Sequence, residues 1–203
     1  IQVGGDIFGW RPGPDGSWLF WIADATGHGA SAALFTTLAA LLFNGGATAP
    51  SPGHLLERVN ERFYSVFKGH SIMSACCLLA HADGRLLFAN AGHPLLLIRR
   101  AAGSVEAVTA RETMLGIHKQ LKFADTEARL LPGDVALLHT DGLHSLLDKN
   151  GKRMEESAVL KAFAGIDPRE PVPEALVAAL ASASNDGAFL DDVAAISLAR
   201  TGR

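Results

Sequence analysis

The sequence contains little cysteine: only Cys76 and Cys77, adjacent in the apolar stretch SIMSACCLLA. Neighbouring residues of a strand point to opposite faces, so a disulfide between these two would be strained. We therefore expect two buried free thiols, which suits the reducing cytoplasm. No apolar run approaches the roughly 18 residues that span a bilayer. The predicted location is cytoplasmic, with membrane tethering of a longer protein left open.

Basic residues are scarce as well. The chain has 18 Lys and Arg against 21 Asp and Glu, a formal net charge of −3. This balance argues against a general nucleic-acid-binding protein, which normally presents a basic face. TGHGAS lacks the lysine of a Walker-type phosphate loop, and no G-x-S-x-G elbow of a serine hydrolase occurs. An acidic substrate would then need local cations from side chains or metal ions.

What the sequence does contain is the composition of a globular protein. Hydrophobic residues make up 48% of 203 positions, which fits one folded domain over residues 1–203. Strand-like segments flank four turn signals and predict four hairpins, the first between residues 1–9 and 18–24. The turn signals are Asp15-Gly16, Asp83-Gly84, the Ala-Ala-Gly of residues 101–103, and Pro132-Gly133. A last strand is predicted over residues 193–200.

Helical patterns occur in pairs between the strands. Residues 30–43 are almost all apolar and predict a mostly buried helix, whereas residues 51–68 predict an amphipathic helix that begins at Ser51-Pro52. Two further helices are predicted over residues 153–164 and 172–184. Hairpins with paired helices indicate an α+β fold, most simply two mainly antiparallel sheets with helix pairs outside them.

Aspartates stand at strand margins beside glycine or turn residues, at Asp6, Asp24, Asp141 and Asp191-Asp192. A single Asp-Gly after a strand is usually only a turn, because both residues favour turns for local reasons. Several such acids with few basic neighbours stay ionised together only around cations. Oxygen ligands select Mg²⁺ or Mn²⁺ over zinc. The spacing alone supports a turn and a metal site about equally.

Five short motifs follow one another along the chain: VGGD at 3–6, ADATGHGASAAL at 23–34, NAGHP at 90–94, LHTDG at 138–142 and LDDVAAISLAR at 190–200. In this order they resemble the bacterial SpoIIE/RsbU-like serine phosphatases of the metal-dependent, protein phosphatase 2C-like superfamily. The resemblance spans essentially the whole chain. It implies an α-β-β-α sandwich of two mainly antiparallel sheets flanked by helix pairs.

The resemblance also implies a set of metal ligands: Asp6, Asp24, the main-chain carbonyl of Ala25, Asp141 and Asp191. They would hold two Mn²⁺ or Mg²⁺ ions bridged by Asp24, and Asp24 and Asp141 are the implied catalytic acids. Asp191 matches the acid of the family motif, and Asp192 is assigned to orienting the loop. Substrate-binding residues are not identified, with Gly27, His28 and Gly29 as weak candidates.

The implied activity is hydrolysis of phosphoserine or phosphothreonine by direct attack of a metal-bridging hydroxide. The implied substrate is a regulatory protein such as an anti-sigma-factor antagonist. Because the chain begins at Ile1 and family members often carry a sensor or receiver domain, we expect a clipped N-terminal strand and excision from a longer signalling protein. Two alternatives stay open: a non-catalytic phosphatase-like module that binds a partner, and a two-metal phosphoesterase acting on small molecules.

Some positions depart from the family pattern. Gly9 stands where a second acid often follows GGD, so an outer ligand or supporting acid is missing. Val193-Ala194 replaces the usual Thr or Ser, and Thr26 stands where the eukaryotic branch has His.

Three histidines lie in or beside the motifs, and we interpret them as structural or supporting residues. His93 lies at a strand turn, and His139 and His144 flank Asp141. HTDGLH has neither the helical spacing nor the cysteine partners of a zinc site.

Overall fold

The computed structural model of the chain describes residues 4–25, 30–45, 49–110 and 112–201, and only the backbone of residues 30–33. The strands are β1 (Asp6–Pro12), β2 (Trp18–Ala25), β3 (Met73–Ala80), β4 (Arg85–Ala91), β5 (Leu96–Arg99), β6 (Val105–Val108), β7 (Thr126–Arg129), β8 (Val135–His139) and β9 (Ala195–Ala199). The α-helices are α1 (Ala30–Gly45), α2 (Pro52–Phe67), α3 (Glu156–Gly165) and α4 (Val172–Ala183). Short 3₁₀ turns occur at Pro14–Gly16 and Asp141–His144.

The chain divides into two compact units, each with its own sheet. The first unit, Ile1–Leu95 with Thr109–Arg129, has a five-stranded sheet in the order β1-β2-β3-β4-β7 and contains α1 and α2. The second unit, Leu96–Val108 with Leu130–Arg203, has a four-stranded sheet in the order β6-β5-β8-β9 and contains α3 and α4. All pairings of these strands are antiparallel, which confirms the predicted α+β class.

In the first unit, one face of the sheet packs against α1 and α2. Trp21 is 1% exposed, and its ring stacks on that of Phe43 in α1 at a centroid distance of 4.8 Å. Cys77, the cross-strand partner of Trp21, belongs to the same core, whereas Cys76 points to the opposite face. Both thiols are buried and free, as the sequence predicted.

Helix α1 is less buried than its composition predicted. Ala39 and Phe43 are fully buried, but Leu34 and Leu41 are 73% and 65% exposed. The helix contacts α2, β1 and β2, and its outer side remains in solvent. The expectation of a mostly buried helix was wrong, because apolar composition does not determine which sides of a helix the fold covers. In the described ranges, no helix has the length and the apolar character that a membrane crossing requires.

The hairpin predicted across Pro132-Gly133 does not form. β7 pairs with β4 at the edge of the first sheet, whereas β8 pairs with β5 and β9 in the second sheet. Every residue of β8 is buried, so β8 suits a central position, while β7 alternates half-buried and exposed residues and suits an edge. The other three predicted hairpins are confirmed.

The second unit has a separate core in which α3 and α4 contribute large apolar side chains, among them Val159, Phe163 and Leu176. Leu137 of β8 is fully buried in this core. β8 is therefore anchored firmly where it leads into the 3₁₀ turn that begins at Asp141.

Candidate active site

Asp6 at the start of β1 and Asp24 near the end of β2 are direct partners across the antiparallel strands. Such partners point to the same face, with Cβ atoms about 4.5–5.5 Å apart. Trp21 and Ala23 face the helices, so the two carboxylates lie on the sheet face that turns away from α1 and α2. Both aspartates are half-buried. Because like charges directly opposite each other repel, this arrangement favours a cation beside them.

The backbone of Gly5 lies in close contact with the end of β2. A Cβ atom at Gly5 would lie 2.4 Å from the carbonyl oxygen of Ala25 and 2.7 Å from Oδ1 of Asp24. The N–H of Ala25 donates to the carbonyl oxygen of Gly5 at 3.1 Å, which fixes the two backbones against each other. Two oxygens of the implied ligand set therefore lie beside the backbone of Gly5, where any side chain would displace them.

Ser74 of β3 is the other cross-strand partner of Asp24, so Asp6, Asp24 and Ser74 form one row. The Oγ of Ser74 and the Nδ1 of His93 are 2.8 Å apart. The N–H of His93 donates to Oδ1 of Asn90 at 2.7 Å, and Nδ2 of Asn90 donates to the carbonyl oxygen of His93 at 2.8 Å. The NAGHP motif thus holds Ser74 in its place in this row. Sequence reasoning missed Ser74, because strand register determines its partners.

Asp141 begins its 3₁₀ turn directly against the segment that precedes β9. A Cβ atom at Gly142 would lie 1.7 Å from the carbonyl oxygen of Asp192, so these backbones are in direct contact. The N–H of Thr140 donates to the carbonyl oxygen of Ala194, and the N–H of Ala194 donates to Oγ1 of Thr140, both at 3.0 Å. These contacts place Asp141 and Asp191 on adjoining segments, although they are far apart in sequence.

The carboxylates of Asp141 and Asp191 are accessible. Asp141 and Asp191 are both exposed. Oδ1 of Asp191 accepts the N–H of Asp192 at 2.9 Å, which orients the carboxylate. Among the residues that the structure describes, Asp141 has no ion pair or hydrogen bond through its carboxylate. Both acids therefore have oxygen atoms available to a ligand.

Two histidines lie beside Asp141, with ring centroids 5.7 Å apart. Burial lowers the pKa of His139 to about 4, against the raising effect of its hydrogen bond with the Thr140 carbonyl. Burial also lowers the pKa of His144, whereas Glu156 and Asp141 raise it. Both rings are therefore neutral at pH 7, and they bring no positive charge to the carboxylate of Asp141.

Gly9, where the family motif often has a second acid, lies opposite Trp21. Asp6 and Gly9 are three residues apart in one strand, so their side-chain directions are opposite. A Cβ atom at Gly9 would lie 2.4 Å from Cζ2 of the Trp21 ring. An acid at this position would point into the helix-covered core. The sheet face that carries Asp6 and Asp24 therefore loses no carboxylate by having glycine at position 9.

The predicted acids fall into two pairs. Asp6 and Asp24 lie in the first unit, and Asp141 and Asp191 lie in the second. Within the ranges given above, no three His, Cys, Asp or Glu side chains are close enough to one another to form a complete metal site. The weak substrate-binding candidates Gly27, His28 and Gly29, together with Thr26, lie outside the described residues.

Known proteins resemble this chain in sequence and in fold. A family model described as Stage II sporulation protein E (SpoIIE) matches residues 14–201. Phosphoserine phosphatase RsbP of Bacillus subtilis is 26% identical over 148 residues, which cover 70% of this chain and 37% of RsbP. The SiaA-PP2C domain of Pseudomonas aeruginosa has a TM-score of 0.84 at 24% identity, covering 97% of this chain and 81% of that one. RsbX in complex with magnesium has a TM-score of 0.66 at 18% identity, covering 96% and 86% of the two chains.

The fold is that of the PP2C-type domains among these structures, as the motifs predicted. Because the family model covers nearly the whole chain, the protein belongs to the SpoIIE family. The chain spans 37% of the length of RsbP, the curated relative that it matches.

Proposed function

We propose that this domain hydrolyses phosphoserine or phosphothreonine on a regulatory protein, such as an anti-sigma-factor antagonist, with two Mn²⁺ or Mg²⁺ ions. The observation that carries the proposal is the Asp6–Asp24 pair, with Oδ1 of Asp24 and the Ala25 carbonyl oxygen both beside Gly5, in a member of the SpoIIE family. The name of RsbP, a phosphoserine phosphatase, supports the substrate class.

The donor atoms fit hard divalent cations. Asp6, Asp24, Asp141 and Asp191 supply carboxylates, and Ala25 supplies a carbonyl, so every proposed ligand is an oxygen. The magnesium complex of RsbX supports the same choice of metal. When bound, the two ions supply positive charge for the phosphoryl oxygens and acidify the attacking water. Asp24 and Ala25 would hold an ion together, because Oδ1 of Asp24 and the carbonyl oxygen of Ala25 both lie beside the backbone of Gly5.

The part played by the chain itself is to hold the acids rigidly. Asp6 and Asp24 are fixed by pairing between β1 and β2, and Asp24 is paired on its other side with β3. Asp141 is held by a turn in direct contact with the backbone of Asp192. Ligands fixed in advance lose little conformational entropy when a cation or a phosphate binds, which favours both affinity and geometry.

The experiment is a phosphatase assay with and without Mn²⁺, on p-nitrophenyl phosphate and on a phosphoserine-containing protein. We expect Mn²⁺-dependent turnover of both by the wild type and a loss of at least about 100-fold in Asp24→Asn and in Asp141→Asn. Asp186→Asn is the matched control, because Asp186 is an exposed acid outside the proposed ligand set that accepts the N–H of Ala188.

The outcomes separate the alternatives that the sequence left open. A wild type with no Mn²⁺-dependent turnover on either substrate would contradict an enzyme and favour a partner-binding module. Turnover of p-nitrophenyl phosphate alone would favour a phosphoesterase for small molecules. A sensor or receiver domain in a longer protein stays a prediction.

A further inference from the structure

Ser145 is a buried polar residue, 1% exposed, that follows the 3₁₀ turn containing Asp141. Its Oγ donates to the carbonyl oxygen of Gly142 at 2.7 Å. The same oxygen accepts the N–H of Leu190 at 3.1 Å and the N–H of Asp191 at 3.2 Å. A serine hydroxyl has one donor and two acceptor positions, so all three are used. One side chain thus joins the Asp141 turn to the main chain of Asp191.

Asp191 is exposed on a loop, so its position depends on what holds its backbone. Ser145 fixes its N–H, and the Asp192 carbonyl is in contact with Gly142. A loop without these restraints would bind a cation less tightly, because ordering its backbone on binding costs conformational entropy. We propose that Ser145 is a positioning residue that holds Asp191 for divalent-cation binding, an inference that rests on the proposed function of Asp191 as a metal ligand.

Ser184 has nearly the same bonding pattern and serves as a control. Its Oγ donates to the carbonyl oxygen of Ala181 at 2.7 Å and accepts the N–H of Gly187 at 2.8 Å. It is 7% exposed and follows the end of α4, and its hydroxyl bonds to none of the proposed ligands. Removing either hydroxyl takes away hydrogen bonds to partly buried backbone N–H groups and destabilises the fold. Only the loss at Ser145 releases a proposed ligand.

The test measures Mn²⁺ binding by calorimetry and thermal unfolding for the wild type, Ser145→Ala and Ser184→Ala. Both variants should melt a few degrees below the wild type. We expect the Kd for Mn²⁺ to rise by roughly 10- to 100-fold in Ser145→Ala, the range found when the partner that orients a metal ligand is removed. In Ser184→Ala the Kd should change less than about twofold. Ser145→Cys keeps a similar volume with weaker hydrogen bonds, so it should also weaken Mn²⁺ binding. This variant provides the test if Ser145→Ala folds poorly.

A double-mutant cycle tests whether Ser145 acts through Asp191. In the Asp191→Ala background, the further change Ser145→Ala should alter the Kd by less than about twofold, because the ligand that it positions is already gone. The positioning role of Ser145 would be contradicted by an unchanged Kd in Ser145→Ala and Ser145→Cys. It would also be contradicted if Ser145→Ala raised the Kd as much in the Asp191→Ala background as in the wild type. Neither result would contradict the proposed function. A wild type that binds no Mn²⁺ would overturn the proposed function as well.

Discussion

Asp6 on β1 and Asp24 on β2 are directly opposite each other, with both side chains on the face of the sheet that the helices do not cover. Like charges directly opposite each other repel, so this relationship lowers the stability of the metal-free fold and favours a cation beside the pair. At this pair, the charges that would bind a cation lower the stability of the metal-free protein.

Replacing Asp6 with Asn is expected to raise the unfolding temperature of the metal-free protein and to abolish its stabilisation by Mn²⁺. Like charges directly opposite each other cost roughly 0.2–1 kcal/mol, which the amide removes. Thermal unfolding in EDTA and in Mn²⁺ measures both effects. Glu112→Gln, at an exposed acid of the same unit, should change neither. An Asp6→Asn protein that is still stabilised by Mn²⁺ as the wild type is would contradict the ligand assignment.

Gly5→Ala should weaken Mn²⁺ binding at least about tenfold and lower the free energy of unfolding by about 1–3 kcal/mol. The added methyl would lie 2.4 Å from the carbonyl oxygen of Ala25 and 2.7 Å from Oδ1 of Asp24. Calorimetry and denaturant unfolding measure the two quantities. Gly165→Ala is the control, because a Cβ atom there meets no atom within 4 Å. Wild-type Mn²⁺ affinity in Gly5→Ala would contradict the assignment of Asp24 and Ala25 as metal ligands.

Restoring an acid at position 9 should harm the protein. In Gly9→Asp the Cβ atom would lie 2.4 Å from the Trp21 ring, on the core side of the sheet. We expect a loss of about 2–4 kcal/mol in the free energy of unfolding, from overpacking and from a carboxylate placed against apolar side chains, with no gain in phosphatase activity. Urea unfolding and the p-nitrophenyl phosphate assay check this. Higher activity with unchanged stability would show that residue 9 does reach the site.

The metal-free protein should lose stability between pH 6.5 and pH 4 because of His139. Burial lowers the pKa of His139 to about 4, below its value in the unfolded chain, so in this range the unfolded state binds more protons. Stability is complete above about pH 6.5 and falls by up to roughly 3 kcal/mol as the pH drops to 4. Urea unfolding at several pH values should show a flatter dependence in His139→Leu than in the wild type. Parallel curves for the two proteins would contradict this assignment.

Much of the first unit could be predicted from local signals. Asp15-Gly16 predicted the β1–β2 hairpin, and in the structure both residues have the positive φ angles, 53° and 71°, that such turns favour. Strand periodicity also indicates that Asp6 and position 9 point to opposite faces, so the orientation of position 9 away from Asp6 could have been predicted from the sequence. The exposure of Leu34 and Leu41 could not be predicted from the sequence, because it depends on what α1 packs against.

The alignment of Asp6 with Asp24 depends on one residue of loop length. A two-residue Asp-Gly turn would pair position 14 with 17 and would put Asp6 opposite Ala25. In the structure Pro12 pairs with Trp18, and the N–H of Gly13 donates to the carbonyl oxygen of Ser17 at 2.9 Å across a longer loop. That shift of one residue sends Asp24 to the face of Asp6, since a slip of one position reverses every side chain of a strand.

The sequence by itself determined the secondary structure of most segments, the α+β class and the acids at the strand margins, because periodicity and turn chemistry act over a few residues. Tertiary structure alone decided the partner of β7, the register that unites Asp6 with Asp24, and the bond from Ser145 to Asp191. Each of these joins segments that are separated along the chain. Their pairing follows from burial and hydrogen bonding in the whole fold, so a local sequence pattern does not predict it.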